Sequence, residues 1–129
     1  MRLTSLQFSA SPLHAPQATW LRGETGYREA LERQKSTGQP VLVLFTAPWC
    51  GPCKRFQAER VRTPAFAEQT AGYIRVHVDN SADVPDNRLL QDFGGTHYPS
   101  LFVQNADGTH RQIGLFGPEG FLPAEALGL

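Results

Sequence analysis

Cys50 and Cys53 are the only two cysteines in 129 residues, and they stand three positions apart. A structural disulfide stabilises mainly by closing a long loop in the unfolded chain, so a bridge this short contributes little by that route. The pair therefore reads as chemistry, either thiol–disulfide exchange or half of a metal site. A zinc site of two cysteines and two histidines needs the histidines at ligand spacing. His14, His77, His97 and His110 are scattered with no such spacing, so no metal is expected. The flanks of the pair favour exchange. Val41-Leu42-Val43-Leu44-Phe45 leads into it as a continuous apolar run, the pattern of a strand buried on both faces, and Lys54 to Val61 reads as a helix. Cys50 then falls at the helix N-terminus, where unpaired backbone N–H groups and the helix dipole stabilise a negative charge. A thiol so placed titrates below its usual ~8.5 and spends more time as the nucleophilic thiolate. Cys53, one turn along, is positioned to attack a mixed disulfide on Cys50 and release the reduced substrate. Gly51 and Pro52 make the turn between them tight and stiff.

The elements that must hold this turn alternate in type. Residues 26–37 read as a helix with Tyr27, Ala30 and Leu31 on one face, stopped by Gly38 and Pro40. After the Cys helix, Thr63-Pro64 fits an N-cap followed by proline at the first helical position, predicting a helix from Pro64 to Ala71. Tyr73 to Asp79 alternates as a strand, with Arg75 and His77 on one face, and a polar loop over 80–87 follows. Leu89, Leu90 and Phe93 mark a short helix, and Leu101–Val103 and Thr109–Ile113 form a hairpin about Asn105-Ala106-Asp107-Gly108. Phe121, Leu122 and Leu127 suggest a last helix, short or broken because Pro123 sits among them. The fold class is α/β: a central mixed sheet flanked by helices on both faces. Residues 1–23 have no clear period and read as an N-terminal arm or weak edge strand, meeting the core at Trp20 and Leu21; the domain proper spans 24–129.

Composition narrows the function classes. Forty per cent apolar and 19% charged residues describe one ordinary globular domain, and twelve basic residues cancel twelve acidic ones, so no nucleic-acid partner is implied. No apolar run approaches the ~20 residues of a membrane span. Met1 to Ala10 carries one positive charge but no continuous apolar segment, a poor signal peptide. The expectation is a cytoplasmic monomer, with the periplasm as the alternative if a signal peptide lies outside this sequence.

Ala47-Pro48-Trp49-Cys50-Gly51-Pro52-Cys53-Lys54 resembles the active-site segment of thioredoxins, and the resemblance extends from about Glu24 to Leu122. Its second anchor is Tyr98-Pro99 ahead of a strand. The resemblance implies a thioredoxin fold, a redox-active Cys50–Cys53 disulfide with no other cofactor, and a cis Pro99 beside the cysteines. It also implies a substrate face made by Trp49, Gly51, Pro52, Tyr98 and Pro99. Trp49 is then a surface ring rather than a core aromatic, and His97 a solvated loop residue beside that face. The Thr-Pro break and the Asp79–Phe93 connection look more like the thioredoxin-like domains of bacterial transmembrane disulfide reductases than like the smallest thioredoxins. The implied activity is reduction of protein disulfides, with protein substrates and an upstream reductase as partners. The Gly-Pro dipeptide agrees, since thioredoxin itself is poised near about −270 mV whereas strong oxidants lie near about −120 mV. The alternatives are a binding module without turnover and a metal-binding dithiol protein. Leu44 departs from the family, which often carries a buried carboxylate there, and leaves Arg75 without the acid it would partner.

Overall fold

The computed structural model describes residues 19–80 and 88–129. Most of the N-terminal arm and the polar loop at 81–87 therefore lie outside the described residues. The elements are β1 (Leu21–Arg22), α1 (Gly23–Thr37), β2 (Val41–Thr46), α2 (Gly51–Phe56), α3 (Pro64–Gln69), β3 (Ile74–Asp79), α4 (Arg88–Asp92), β4 (Ser100–Gln104), β5 (His110–Ile113), β6 (Phe116–Gly117) and β7 (Gly120–Phe121). A 3₁₀ turn, Ala124–Ala126, follows.

Five strands form one mixed sheet in the order β1-β3-β2-β4-β5. β1 and β2 each run parallel to β3, while β4 is antiparallel to β2 and to β5. β2 sits at the centre with every residue buried, which accounts for its unbroken apolar run. Val41, Val43 and Phe45 face one core, shared with Ala30 of α1 and with Leu90 and Phe93 at α4. Leu42 and Leu44 face the other, shared with Phe56 of α2, Phe66 of α3 and the C-terminal Ala124 and Leu127. The helices thus cover both faces, as the alternation of elements predicts. β3 divides the same way: Ile74, Val76 and Val78 are buried, while Arg75 and His77 lie half-buried on the α2–α3 face.

The chain meets the sheet edge at Trp20 and Leu21, one on each core. The Trp20 ring stacks on Phe66 at 6.3 Å, and Leu21 lies so close beneath α1 that a Cβ on Gly26 would come within 2.9 Å of its carbonyl carbon. This short β1 carries the chain directly into α1, which starts at Gly23 rather than at residue 26. Thr63 caps α3 as its sequence predicts, its hydroxyl accepting the N–H of Phe66 at 3.3 Å with Pro64 opening the helix.

Two features depart from expectation. α2 continues into one π-helical turn over Gln57–Val61, where an ordinary helix is predicted. The C-terminal segment is not a helix through Phe121. Phe116–Gly117 pairs with Gly120–Phe121 as a small antiparallel ribbon, and only the 3₁₀ turn beyond Pro123 is helical. Gly120 explains the difference: its φ of +112° lies where side-chain-bearing residues rarely go and no helix does. Arg60 then clamps the ribbon to the π turn, its guanidinium donating to the carbonyls of Leu122 at 2.7 Å and Phe121 at 2.8 Å.

Phe66 lies at the junction of α2, α3 and the arm, packing on both Phe56 and Trp20. Phe66→Ala should cost about 3–5 kcal/mol in a urea melt, against about 1 kcal/mol for loss of the Thr63 cap in Thr63→Ala. Equal costs for the two variants would mean that the α2–α3 core collapses around the missing ring.

Candidate active site

Parallel pairing with β3 ends at Thr46 opposite Asp79, and the chain then leaves the sheet through buried Ala47 and exposed Pro48 and Trp49. The Cys50 N–H donates back to the Ala47 carbonyl at 3.0 Å, turning the backbone into α2. Cys50 is the N-cap residue: its backbone is extended, and its Sγ accepts the N–H of Cys53 at 3.1 Å. Gly51 and Pro52 occupy the first helical positions, where proline's missing N–H costs no intrahelical bond. Cys50 and Cys53 form a disulfide with Cα atoms 5.3 Å apart. The bridge is recessed, Cys50 being 4% and Cys53 1% exposed, beneath exposed Gly51 and Pro52 and a Trp49 that is 65% exposed.

Tyr98 and Pro99 reach the same place from the start of β4. The Tyr98–Pro99 peptide is cis, the isomer the resemblance implies. Tyr98 packs against the small cluster formed by Ala47, Cys50 and Cys53, and its ring stands edge-on to Trp49 at 5.7 Å. Its hydroxyl accepts a hydrogen bond from Asn80 Nδ2 at 2.5 Å, and the Asn80 backbone N–H donates to the Thr46 carbonyl at 2.8 Å. Pro99 is buried and lines a groove of about 370 Å³ with His97, Gln112, Ile113, Gly114, Leu115 and Phe116. The structure therefore gathers Trp49, Cys50, Gly51, Pro52, Cys53, Tyr98 and Pro99 at one end of the sheet, with exposed His97 in the groove wall. Asn80 and Phe116 belong with them. Asn80 follows a strand without any motif to mark it, and Phe116 is one of two apolar residues, Leu115 and Phe116, between Gly114 and Gly117.

Below this surface the polar groups of β2 and β3 form a network. Arg22 Nη1 donates to His77 Nδ1 at 2.6 Å, since a guanidinium has no acceptor. The Thr46 hydroxyl donates to Asp79 Oδ1 at 2.6 Å, so His77 Nε2–H must be the donor across its 2.7 Å contact with Thr46. Both ring nitrogens are engaged, and the imidazole is held neutral. The Gln57 amide lies 3.4 Å from Nε2, and its backbone N–H bonds the Cys53 carbonyl one turn up the helix. His77 also stands in register with Leu44, which is 1% exposed among apolar neighbours. The polarity missing at position 44 is therefore found one strand away. Arg75 does not point a free cation at the sulfurs: its Nε donates to Thr70 Oγ1 at 2.8 Å and its Nη2 to the Ala67 carbonyl at 3.3 Å, at the end of α3. Unpaired carbonyls at a helix C-terminus attract a guanidinium in this way. Among the described residues, no cluster of three or more His, Cys, Asp or Glu side chains is arranged to hold a metal, and no helix is long and apolar enough to cross a membrane.

A model of the thioredoxin-like domain matches residues 27–127 of the chain. The chain belongs to the thioredoxin-like family. The Streptomyces coelicolor protein that carries the name thioredoxin 2 is 31% identical over 100 residues, covering 78% of this chain and 66% of its own length. The thiol:disulfide interchange protein DsbD of Klebsiella pneumoniae is 31% identical over 81 residues, covering 62% of this chain and 13% of its own. The chain thus spans less than two thirds of the curated relatives it matches first. The reduced C-terminal domain of Neisseria meningitidis DsbD superposes with a TM-score of 0.63 at 25% identity, covering 81% of this chain and 90% of that domain. Within this thiol–disulfide oxidoreductase family, the disulfide, the cis proline and the exposed tryptophan of this thioredoxin-like chain share one face.

Burial of the His77 ring, then the Arg22 charge, hold its pKa below the usual 6.5, with Asp79 opposing. Below that value the unfolded chain takes up a proton that the folded chain resists. The neutral imidazole's contribution is therefore complete above about 6.5 and is lost as the pH falls toward the folded value. Denaturant melts across this range should show wild-type stability falling on acidification, and His77→Gln should flatten that part of the profile. Parallel profiles for the two proteins would show that the Arg22–His77–Thr46 contacts do not hold the ring neutral.

Proposed function

We propose that the protein reduces disulfide bonds in polypeptides, with Cys50 as the attacking and Cys53 as the resolving cysteine. The observation that carries this reading is the N-cap geometry of Cys50, whose Sγ receives the Cys53 N–H at the head of α2. In the reduced protein the same donor and the other unpaired N–H groups favour a thiolate on Cys50. That thiolate attacks one sulfur of the substrate disulfide, and the other substrate sulfur leaves as a thiolate that takes up a proton. The Cys53 thiolate, its proton passed to solvent, then attacks Cys50 Sγ, and the second substrate sulfur departs and is protonated in turn. Two electrons have moved to the substrate, and the protein holds the Cys50–Cys53 disulfide seen here. A dithiol donor, the upstream reductase, returns it to the reduced state. Both cysteines are recessed, Cys50 at 4% and Cys53 at 1% exposed, so the N-cap position of Cys50 rather than exposure supports the assignment of roles.

The reducing direction is supported by the Gly51-Pro52 turn, and the couple is expected near about −270 mV, far from the about −120 mV of strong oxidants. Equilibration with a glutathione or dithiothreitol redox series measures it, and a value near the oxidising end would reverse the proposed direction. Mass spectrometry without reductant assigns the thiols. Cys53→Ser should accumulate a mixed disulfide with a disulfide-containing protein such as insulin, and Cys50→Ser should accumulate none. Equal trapping by both variants would overturn the assignment.

A further inference from the structure

Two large apolar side chains among the described residues are strongly exposed, Trp49 at 65% and Phe116 at 51%, and both adjoin the Tyr98–Pro99 segment. Trp49 does so through the Tyr98 ring, and Phe116 by sharing the groove with Pro99. Phe116 is held from behind: its ring lies 5.1 Å from that of Phe121 across the β6–β7 ribbon, and Phe121 lies 5.3 Å from buried Phe56 of α2. The Arg55 guanidinium covers the Phe121 ring at 5.7 Å. The wall of the groove is therefore a supported aromatic surface with a cation on its α2 side.

The charge around it is uneven although the chain as a whole is neutral. Lys54 and Arg55 follow Cys53 directly and are exposed, and the ion pairs among the described residues all lie along α1, so among those residues neither has a carboxylate in salt-bridge reach. The nearby acids in sequence are Glu59, in the π turn that follows α2, and Glu119 at the ribbon turn. Arg60 is already committed to the ribbon carbonyls. Arg55 thus stands one ring behind the groove wall, across Phe121 from Phe116, and exposed Lys54 precedes it. An exposed aromatic wall backed by cations with no carboxylate partner among the described residues matches a ligand that is apolar at one residue and acidic at the next.

We propose that Phe116 and Arg55 select the substrate: the groove takes an apolar side chain close to the reacting cysteine of a polypeptide disulfide, and an acidic side chain beside it faces Arg55. This rests on the thiol-exchange reading and adds the substrate class to it. No step of the exchange changes. The wall acts on encounter and positioning, before Cys50 reaches the substrate sulfur.

The test uses the full chain, reduced and freed of reductant, mixed with short synthetic peptides that each close one disulfide. The peptides differ only in the two residues after the first cysteine: Leu-Glu, Leu-Lys, Ser-Glu and Ser-Lys. Oxidation of the protein is followed by its tryptophan fluorescence and confirmed by mass. At low salt Leu-Glu should react about fivefold faster than Leu-Lys, the scale of one exposed charge pair, and about tenfold faster than Ser-Glu, the scale of one apolar side chain in a pocket. The first ratio should shrink toward one as salt is raised, whereas the second should not. Arg55→Glu should invert the preference between Glu and Lys, and Phe116→Ala should remove the preference between Leu and Ser. Wild-type rates that are equal across the peptides, or a Glu preference that salt does not weaken, overturn the proposal while leaving thiol exchange standing. If no peptide oxidises the protein, the thiol-exchange reading itself fails and this inference falls with it.

Discussion

The strand Val41–Thr46 must be dry on both faces, and the position of everything reactive follows from that requirement. Each of its residues is buried, between a parallel neighbour on one side and an antiparallel one on the other. Close packing on both faces leaves the strand no freedom to shift or slip register. Its exit at Thr46 is therefore a fixed point, and the few residues from there to Cys50 deliver the first sulfur to a defined place above the sheet. The same register brings Asp79 and Asn80 alongside that exit from β3 and Ser100 alongside Phe45 from β4, so Tyr98 and Pro99 arrive beside the disulfide as a consequence of sheet pairing.

Rigidity below the site is combined with a polar compromise. Leu44 keeps the α2 face of the central strand apolar, and the polar groups are carried instead by Thr46 and by the half-buried His77 of the adjoining strand. A half-buried imidazole is tolerable because both nitrogens have partners that fix its tautomer, while burial and then the Arg22 charge disfavour its protonation. Arg22 supplies one of them, which ties the two-residue edge strand to a network that touches Gln57 on the active-site helix. The edge of the sheet is thus linked to the C-terminal end of α2 through polar contacts and to α3 through the Trp20–Phe66 stack.

The C-terminal ribbon is the part of the molecule that most alters its working face. A helix there would have used Phe121 to cover the core and left nothing beside the groove. The turn at Gly120 folds Phe116 back onto Phe121 instead, and Arg60 locks the ribbon to the π turn. The outcome is an exposed aromatic ring held rigidly next to the cis proline, a cheap source of contact area because its conformational freedom is already spent.

The chemistry and most of the architecture were legible in the residues. A strand buried on both faces must be continuously apolar, a cap must be a residue such as Thr63, and a Cys-Gly-Pro-Cys turn between strand and helix has few uses; these are local constraints, and local sequence carries them. Family resemblance supplied the meeting of Tyr98-Pro99 with the cysteines. The rest depended on residues distant in the chain. Arg22 and His77 are 55 positions apart, and Arg60 is 62 from Leu122, so no period or motif links them. Arg75 was legible as a cation on the α2–α3 face, but where its long side chain went was settled by the carbonyl of Ala67 and the hydroxyl of Thr70. Phe121 shows the same limit at the C-terminus. Its spacing suits a short helix, and the ribbon prevails because Gly120 permits a backbone turn whose benefit, packing against Phe56 and Phe116, exists only once the chain is folded. The Cys50–Cys53 pair and the strand and helix that hold it could be read from the chain because they depend on sequence neighbours, whereas what surrounds the pair came from packing, because those contacts are made across the sheet.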